Sequence, residues 1–230
     1  MSKFDLTRLV VSIACIVIAG VFFIAKLTKN KNPITTKFIA RTGLFAAMSI
    51  ILYVAPLTFK VPFFPSFLEF HFDEVPALIA GFAYGPLSGF FVILVKTLVK
   101  LPFTSTMGVG ELADFLYSSA FVIPAAFIYK KNRSVKGALV GLLIATIIQV
   151  LVSSLFTSFV MLDFYIFMMG FPKGLLLQMC QVANPRITSL GWTFWLYVGV
   201  PFNAMKDAMV VVITFVFYKR LHKVIDRIGA

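Results

Sequence analysis

Apolar residues run along this chain in long blocks, with polar positions gathered at the joints between them. Seven such blocks stand out, at residues 9–25, 38–55, 75–84, 86–95, 111–129, 137–162 and 198–218. Most are long enough, as helices, to cross about 30 Å of hydrocarbon. The two shorter ones meet at Gly85-Pro86, where a missing N–H and the restriction proline places on its predecessor predict a break. The first block is N-terminal and basic-flanked, as a signal peptide would be, but has no convincing small-residue cleavage site and is taken as a helix.

Composition agrees with lipid as the solvent. Of 230 residues, 60% are hydrophobic and only 13% charged, with 27 Phe; soluble domains hold about 25% charged residues. The formal charge of +12 reads as topology rather than as a nucleic-acid surface. Lys26, Lys29, Lys31 and Lys37 lie between blocks one and two, Lys130, Lys131, Arg133 and Lys136 between five and six, and Lys219, Arg220, Lys223 and Arg227 after seven. A simple threading puts all three clusters on one side, which the positive-inside rule makes cytoplasmic and the N-terminus external. Glu69, Asp73, Glu74, Glu111, Asp114 and Asp163 fall to the outer side. Cys15 and Cys180 have no CxxC spacing, His71 and His222 sit on opposite sides, and no GxxxxGK[ST] occurs, so neither a metal site nor an ATP loop is expected.

Polar residues within the apolar blocks carry the functional signal, because each is costly in a membrane. Asn203 and Lys206, three apart after Pro201, share a helix face. Glu111 and Asp114 have the same spacing at an outer helix start; they are site residues, or one of them is the ion partner of a lysine. Lys100, Glu69 and Asp163 read as interfacial. Gln149, Ser153 and Thr157 form a row at intervals of four, with helix-helix contact the expected role of the first two. The loop 56–72 places Pro56, Pro62 and Pro65 among six phenylalanines, too proline-rich for a helix and too aromatic for water. It predicts either a flap over an outward cavity or an interfacial belt. The second outer loop, 163–197, is expected to bring Trp192, Trp195 and Tyr197 to the same level.

Four stretches, Phe67-Leu-Glu-Phe-His-Phe-Asp-Glu-Val-Pro-Ala-Leu-Ile79, Tyr84-Gly-Pro-Leu-Ser-Gly89, Gly108-Val-Gly-Glu-Leu-Ala-Asp-Phe115 and Pro201-Phe-Asn-Ala-Met-Lys206, together resemble the membrane-embedded substrate-binding (S) components of energy-coupling factor (ECF) vitamin transporters. The likeness is greatest to the riboflavin-binding branch and runs from about Lys37 to the end. It implies an all-α fold of six helices over residues 33–230, with residues 1–32 as an added transmembrane helix and basic linker. It also implies capture of a vitamin, most similarly riboflavin or a related flavin, from outside. The partners would be a transmembrane coupling protein and two cytosolic ATPases that use ATP; no cofactor is held covalently and no enzymatic step occurs in this chain. Asn203, Lys206, Glu111, Asp114, Phe67, Leu68, Phe70 and Thr157 are the implied ligand-contacting set. Ala40, Gly43, Ala46 and Ala47 form a small-residue row in the second block suited to docking a coupling protein or to ordinary helix packing.

Two positions depart from the family pattern. Asp114 stands where its motif has Asn, and Phe156, beside Thr157, where a polar Asn is expected. Two other classes compete with the binding-subunit reading. A proton-coupled secondary transporter working through Asp207 or Glu111 predicts inverted repeats, which are not found. An intramembrane enzyme using Glu111 and Asp114 as acid and base lacks a nucleophile or a metal-ligand set.

Overall fold

The computed structural model describes residues 35–54, 59–104, 106–167 and 169–228, with side chains to residue 222. The expected helix at residues 9–25, and Cys15 with it, lies outside the described residues. Six apolar helices form the bundle. They are α1 (Thr36–Val54), α2 (Glu74–Tyr84), α3 (Pro86–Lys100), α4 (Val109–Lys131), α5 (Val135–Phe167) and a last helix, numbered α7 below, Val200–Ile228. A shorter helix α6 (Lys173–Ala183) precedes α7, which is entered through the turns Trp192–Phe194 and Trp195–Gly199. Five are long and apolar enough to span a membrane; α2 is apolar but short.

Local chemistry sets the element ends. Thr35 Oγ1 accepts from the Phe38 N–H at 3.2 Å, and Ser134 Oγ from Gly137 N at 3.0 Å, capping α1 and α5. The predicted break between α2 and α3 is present: Gly85 adopts φ +96°, and Pro86 opens the next helix. α3 continues to Lys100, five residues past the expected end. The outer segment 163–197, expected to be loop, instead contains the end of α5, all of α6 and most of the helical turns that lead into α7. Its apolar spacing explains the difference, for Leu176 and Cys180, four apart, are both buried on one face of α6.

α2 is the axis of the bundle, with every residue from Glu74 to Ala83 buried. Small residues permit this closeness. A Cβ at Gly89 would lie 2.6 Å from Val122 Cγ1, and one at Gly81 2.9 Å from Ala126 Cβ, so α2, α3 and α4 meet almost backbone to backbone. Phe82, Tyr129 and Tyr218 fill the end of the bundle away from Glu74, with the Tyr218 hydroxyl donating to Tyr129 at 3.1 Å. The outer faces are the reverse of a soluble protein's: Ile39, Leu44, Ile51, Leu98, Ile147 and Val212 are each more than half exposed. With five apolar spans, this is a multi-pass membrane protein.

A π-helical turn occurs in α5, Thr157–Met161, and another, Trp195–Gly199, leads directly into α7. Such turns re-aim the side chains around them. Thr157 reaches the cavity described next, and the freed Gly199 carbonyl accepts from Asn203 Nδ2 at 2.8 Å.

Candidate functional site

A cavity of about 500 Å³ opens between the Glu74 end of α2 and the segment 59–72. Asn203 and Lys206 from α7, Glu111 and Asp114 from α4, Thr157 from α5, and Phe67 and Leu68 from the loop all line it. Seven of the eight residues expected to meet the ligand are thus brought together. Phe70 is not: it is fully buried behind the wall, edge-on to Phe202 at 4.7 Å and stacked on Phe59 at 5.1 Å. Alternation explains this, since the backbones of Phe59 and Phe70 pair as an antiparallel bridge, with N–H···O distances of 3.2 and 3.0 Å, which directs Phe70 inward.

That bridge closes 59–72 into a flap. Its Phe64 packs on Phe202 at 5.3 Å, and Phe67 lies between Tyr165 and Phe194 at 6.2 and 6.3 Å. The phenylalanines of the flap therefore rest on α5 and on the segment leading into and through α7 by apolar contacts, while Phe63 stays exposed. The tryptophans and Tyr197 of the second outer loop stay outside the cavity. Trp192 is 69% exposed, Trp195 donates to Ser154 Oγ at 3.0 Å, and neither they nor Tyr197 reach the cavity. Tyr53, Tyr117 and Tyr165 supply its aromatic surface instead.

Beneath the cavity lies a closed ring of buried charge. Lys206 Nζ donates to Glu74 Oε1 at 3.0 Å; Ser118 Oγ donates to the same oxygen at 3.4 Å and accepts from Lys96 Nζ at 3.0 Å. Lys96 also bonds Asp114 Oδ2 at 2.9 Å and the Asp73 carboxylate, which in turn binds His71 Nδ1. His71 Nε2 returns to Lys206 at 3.3 Å and lies 3.6 Å from Asp114 Oδ1. In a neutral ring, the proton on Nδ1 serves Asp73 and leaves Nε2 to accept from Lys206. Lys96, Asp73 and Glu74 are fully buried, so each charge depends on its opposite number. His71, Asp73 and Glu74 lie close enough to hold a metal ion. Lys96 and Lys206 already neutralise them, which makes the cluster a poor cation site.

Glu111 is held by Thr104 and Thr106 hydroxyls at 2.7 and 3.1 Å, and Asp114 by Lys96, so the two carboxylates have separate partners and form no acid-base couple. Asp207 does not line the cavity; it is buried, with neither oxygen hydrogen-bonded among the described residues. Ser153 donates to Gln149 within α5 at 3.3 Å, both buried away from the cavity. Phe156, at the second departure, turns to the Tyr117 ring at 5.9 Å, while Thr157 bonds the Tyr117 hydroxyl at 3.0 Å and takes the cavity position. In α1, Ala40, Gly43 and Ala47 are exposed, but Ala46 is buried with Thr42, Ser49 and Tyr53 and does not belong to that row. Its 100° offset from Ala47 puts it on the core face. The sequence-based site omitted Lys96, His71, Asp73 and Glu74. Lys96 carried a usable signal, being the one charge within an otherwise apolar run from Pro86 to Val99.

Comparison with known proteins agrees with this architecture. Residues 37–218 match the family of ECF transporter substrate-specific components. The chain belongs to that family. A riboflavin transporter, RibU, of Staphylococcus aureus is 31% identical over 202 residues, 88% of this chain and 96% of the relative. Riboflavin transporter FmnP of Bacillus subtilis is 27% identical over 183 residues, 78% of this chain and 90% of the relative. A chain solved in work on the structure and mechanism of the S component of a bacterial ECF transporter superposes with a TM-score of 0.62 at 30% identity, covering 81% of this chain and 96% of that one. This S component is therefore a transporter's substrate-specific subunit, with the six-helix fold that the sequence motifs implied.

Proposed function

We propose that this S component captures riboflavin, or a closely related flavin, from outside the cell and delivers it to an ATP-driven ECF importer. The observation that carries this reading is the lidded cavity in which Asn203, Lys206, Asp114 and Glu111 converge, in a chain whose relatives are named riboflavin transporters. Its volume suits a flat three-ring ligand with a hydroxylated chain. Phe67, Tyr117 and Tyr165 offer aromatic faces for the ring system. Asn203, its Nδ2 committed to Gly199, presents Oδ1 as an acceptor; Lys206 retains one N–H beyond those given to Glu74 and His71. Glu111 and Thr157 suit ligand hydroxyls. Binding is non-covalent, and the flap closes over the ligand to exclude water.

Orientation follows from the basic clusters: loops holding Lys130 to Lys136 and the C-terminus lie in the cytoplasm, and the cavity opens outward. The exposed row Ala40, Gly43 and Ala47 is the proposed docking face for the transmembrane coupling protein, which two cytosolic ATPases drive.

The test is twofold. Protein purified without added flavin is expected to be yellow or to quench riboflavin fluorescence on titration, saturating at one ligand per chain. The chain alone in proteoliposomes is expected to bind without sustained uptake. Failure to bind any flavin sinks the reading, and uptake driven by a proton gradient alone replaces it with secondary transport.

A further inference from the structure

Two clusters of positive charge, far apart in sequence, meet at the end of the bundle away from the cavity. Lys130 and Lys131 close α4, and Arg133 and Lys136 follow in the turn to α5 and its first residues. Lys219 and Arg220 follow Tyr218 in α7. The helices that carry the clusters are pinned together at this level, because the Tyr218 hydroxyl donates to Tyr129 at 3.1 Å and both rings are buried. Each of these tyrosines is followed directly by a basic pair. All six basic residues are exposed, and every carboxylate whose side chain is described, from Glu69 to Asp207, belongs to the half of the bundle that holds the cavity. Lys131 turns back over the Phe127 ring at 4.8 Å. Like charges held side by side repel, and an anion placed between them removes the cost. Topology requires only that such residues be basic; the Tyr129–Tyr218 contact adds that the two clusters stand together.

We infer that this end of the bundle binds one anionic phospholipid between the α4–α5 turn and α7, its phosphate held by both basic clusters. The surface next to the cations fits the rest of such a molecule. On α5, Leu139, Val140, Leu143 and Ile147 are exposed at helical spacing, beginning one turn after Lys136. On α7, Leu221, Phe217, Val216 and Val212 do the same, leading away from Arg220. The two helices are neighbours in the bundle. A headgroup among the cations therefore has apolar stripes on which to lay its acyl chains, which a free anion could not use. Long flexible lysines select charge rather than shape, so the site takes a lipid with net negative charge over a zwitterionic one, whose own ammonium already offsets its phosphate.

The experiment uses the full chain purified in a neutral detergent and offers it three probes, phosphatidylglycerol, phosphatidylcholine and soluble glycerol phosphate. Native mass spectrometry counts bound lipid, and the unfolding temperature is recorded with each probe. The native chain is expected to retain one phosphatidylglycerol, to prefer it to phosphatidylcholine by about tenfold or more, and to unfold at a higher temperature with it. Lys130→Gln/Lys136→Gln and Lys219→Gln/Arg220→Gln each remove half of the site, and either pair is expected to weaken phosphatidylglycerol by about tenfold, leaving no retained lipid. Lys37→Gln, a basic residue at the same end but on α1, is expected to change it by less than about twofold. The gain in unfolding temperature should vanish at high salt, a check that needs no variant. Equal retention of the two lipids would overturn the inference and leave the basic face to an acidic protein surface. Two bound lipids, one lost in each variant, would overturn the shared site. The same loss in Lys37→Gln would reduce the effect to general surface charge, and displacement of the lipid by glycerol phosphate at equal concentration would make the occupant a free anion; either result overturns the inference.

Discussion

The floor and the lid of the cavity are built on opposite principles. The floor is a ring of ions, Lys96, Lys206, Asp73, Glu74 and Asp114, buried in a bundle whose solvent is hydrocarbon. The lid is a sheaf of phenylalanines, Phe59, Phe64, Phe67 and Phe70, seated mainly on Phe194 and Phe202. Ionic contacts are directional and costly to leave half made, so the floor fixes angles and suits discrimination. Apolar contacts are non-directional and can be separated and remade, so the lid suits opening and closing. An outer segment that must move and an inner one that must not are thus made of different chemistry, joined at His71 and Asp73, where the flap enters α2.

The largest expected effect comes from breaking the floor. Glu74→Ala removes the acceptor shared by Lys206 and Ser118 and leaves a buried ammonium without its carboxylate. A loss of about 3–5 kcal/mol of stability is expected, seen as a large drop in unfolding temperature in detergent. Glu74→Gln, which keeps the shape, should lie between it and the native chain. An unchanged unfolding temperature for Glu74→Ala would show that the floor is wet and flexible, and the contrast with the lid would fail.

Next come the two α7 residues that face the ligand. Asn203→Ala and Lys206→Ala are each expected to lower riboflavin affinity by about 1–3 kcal/mol, because each removes one buried polar group that the ligand would pair with. Equilibrium titration checks this. Lys206→Ala should also cost stability, since it orphans Glu74, whereas Asn203→Ala should not, because its amide bonds only the Gly199 carbonyl of its own helix. Equal stability losses would mean the ring does not end at Lys206.

How far the sequence carries depends on the same contrast. Helices are legible because hydrocarbon demands uninterrupted apolar runs, and the Gly85-Pro86 break because glycine and proline act locally. Asn203 and Lys206 are legible because their spacing on one helix settles a shared face whatever surrounds it. Lys96 was visible as an oddity but not as a hub, for its partners come from the flap end, 23 residues back, and from α4, 18 residues on. Phe70 was misplaced for a related reason: an aromatic side chain says that it is buried, not against what. Ala46 needed only the helix angle to be set apart from Ala47, and helix α6 only the pairing of Leu176 with Cys180, so both were within reach of closer pattern analysis.

Loosening the lid should do less. Phe67→Ala removes the flap side chain that both lines the cavity and lodges between Tyr165 and Phe194. A loss of about 1 kcal/mol in affinity is expected, carried by faster dissociation rather than slower association. Stopped-flow dilution of the flavin complex measures both rates. A variant slow in association instead would mean that Phe67 shapes the open state.

The smallest effect belongs to an exposed ion pair on the flap itself. Lys60 Nζ lies 3.2 Å from Glu69 Oε1, across the bridge that joins Phe59 to Phe70, with side chains 57% and 42% exposed. By distance it resembles the pairs of the floor, but it lies at the exposed rim of the cavity, and an exposed pair contributes about 0–1 kcal/mol. Lys60→Ala is therefore expected to leave the unfolding temperature within error and to change flavin affinity by less than about twofold. Any residual effect should vanish at high salt, because exposed charges are screened within about 10 Å at moderate ionic strength. Titration with and without added sodium chloride decides it. A salt-resistant loss would place Lys60 against the ligand in the closed state, and the lid would then share the floor's chemistry after all.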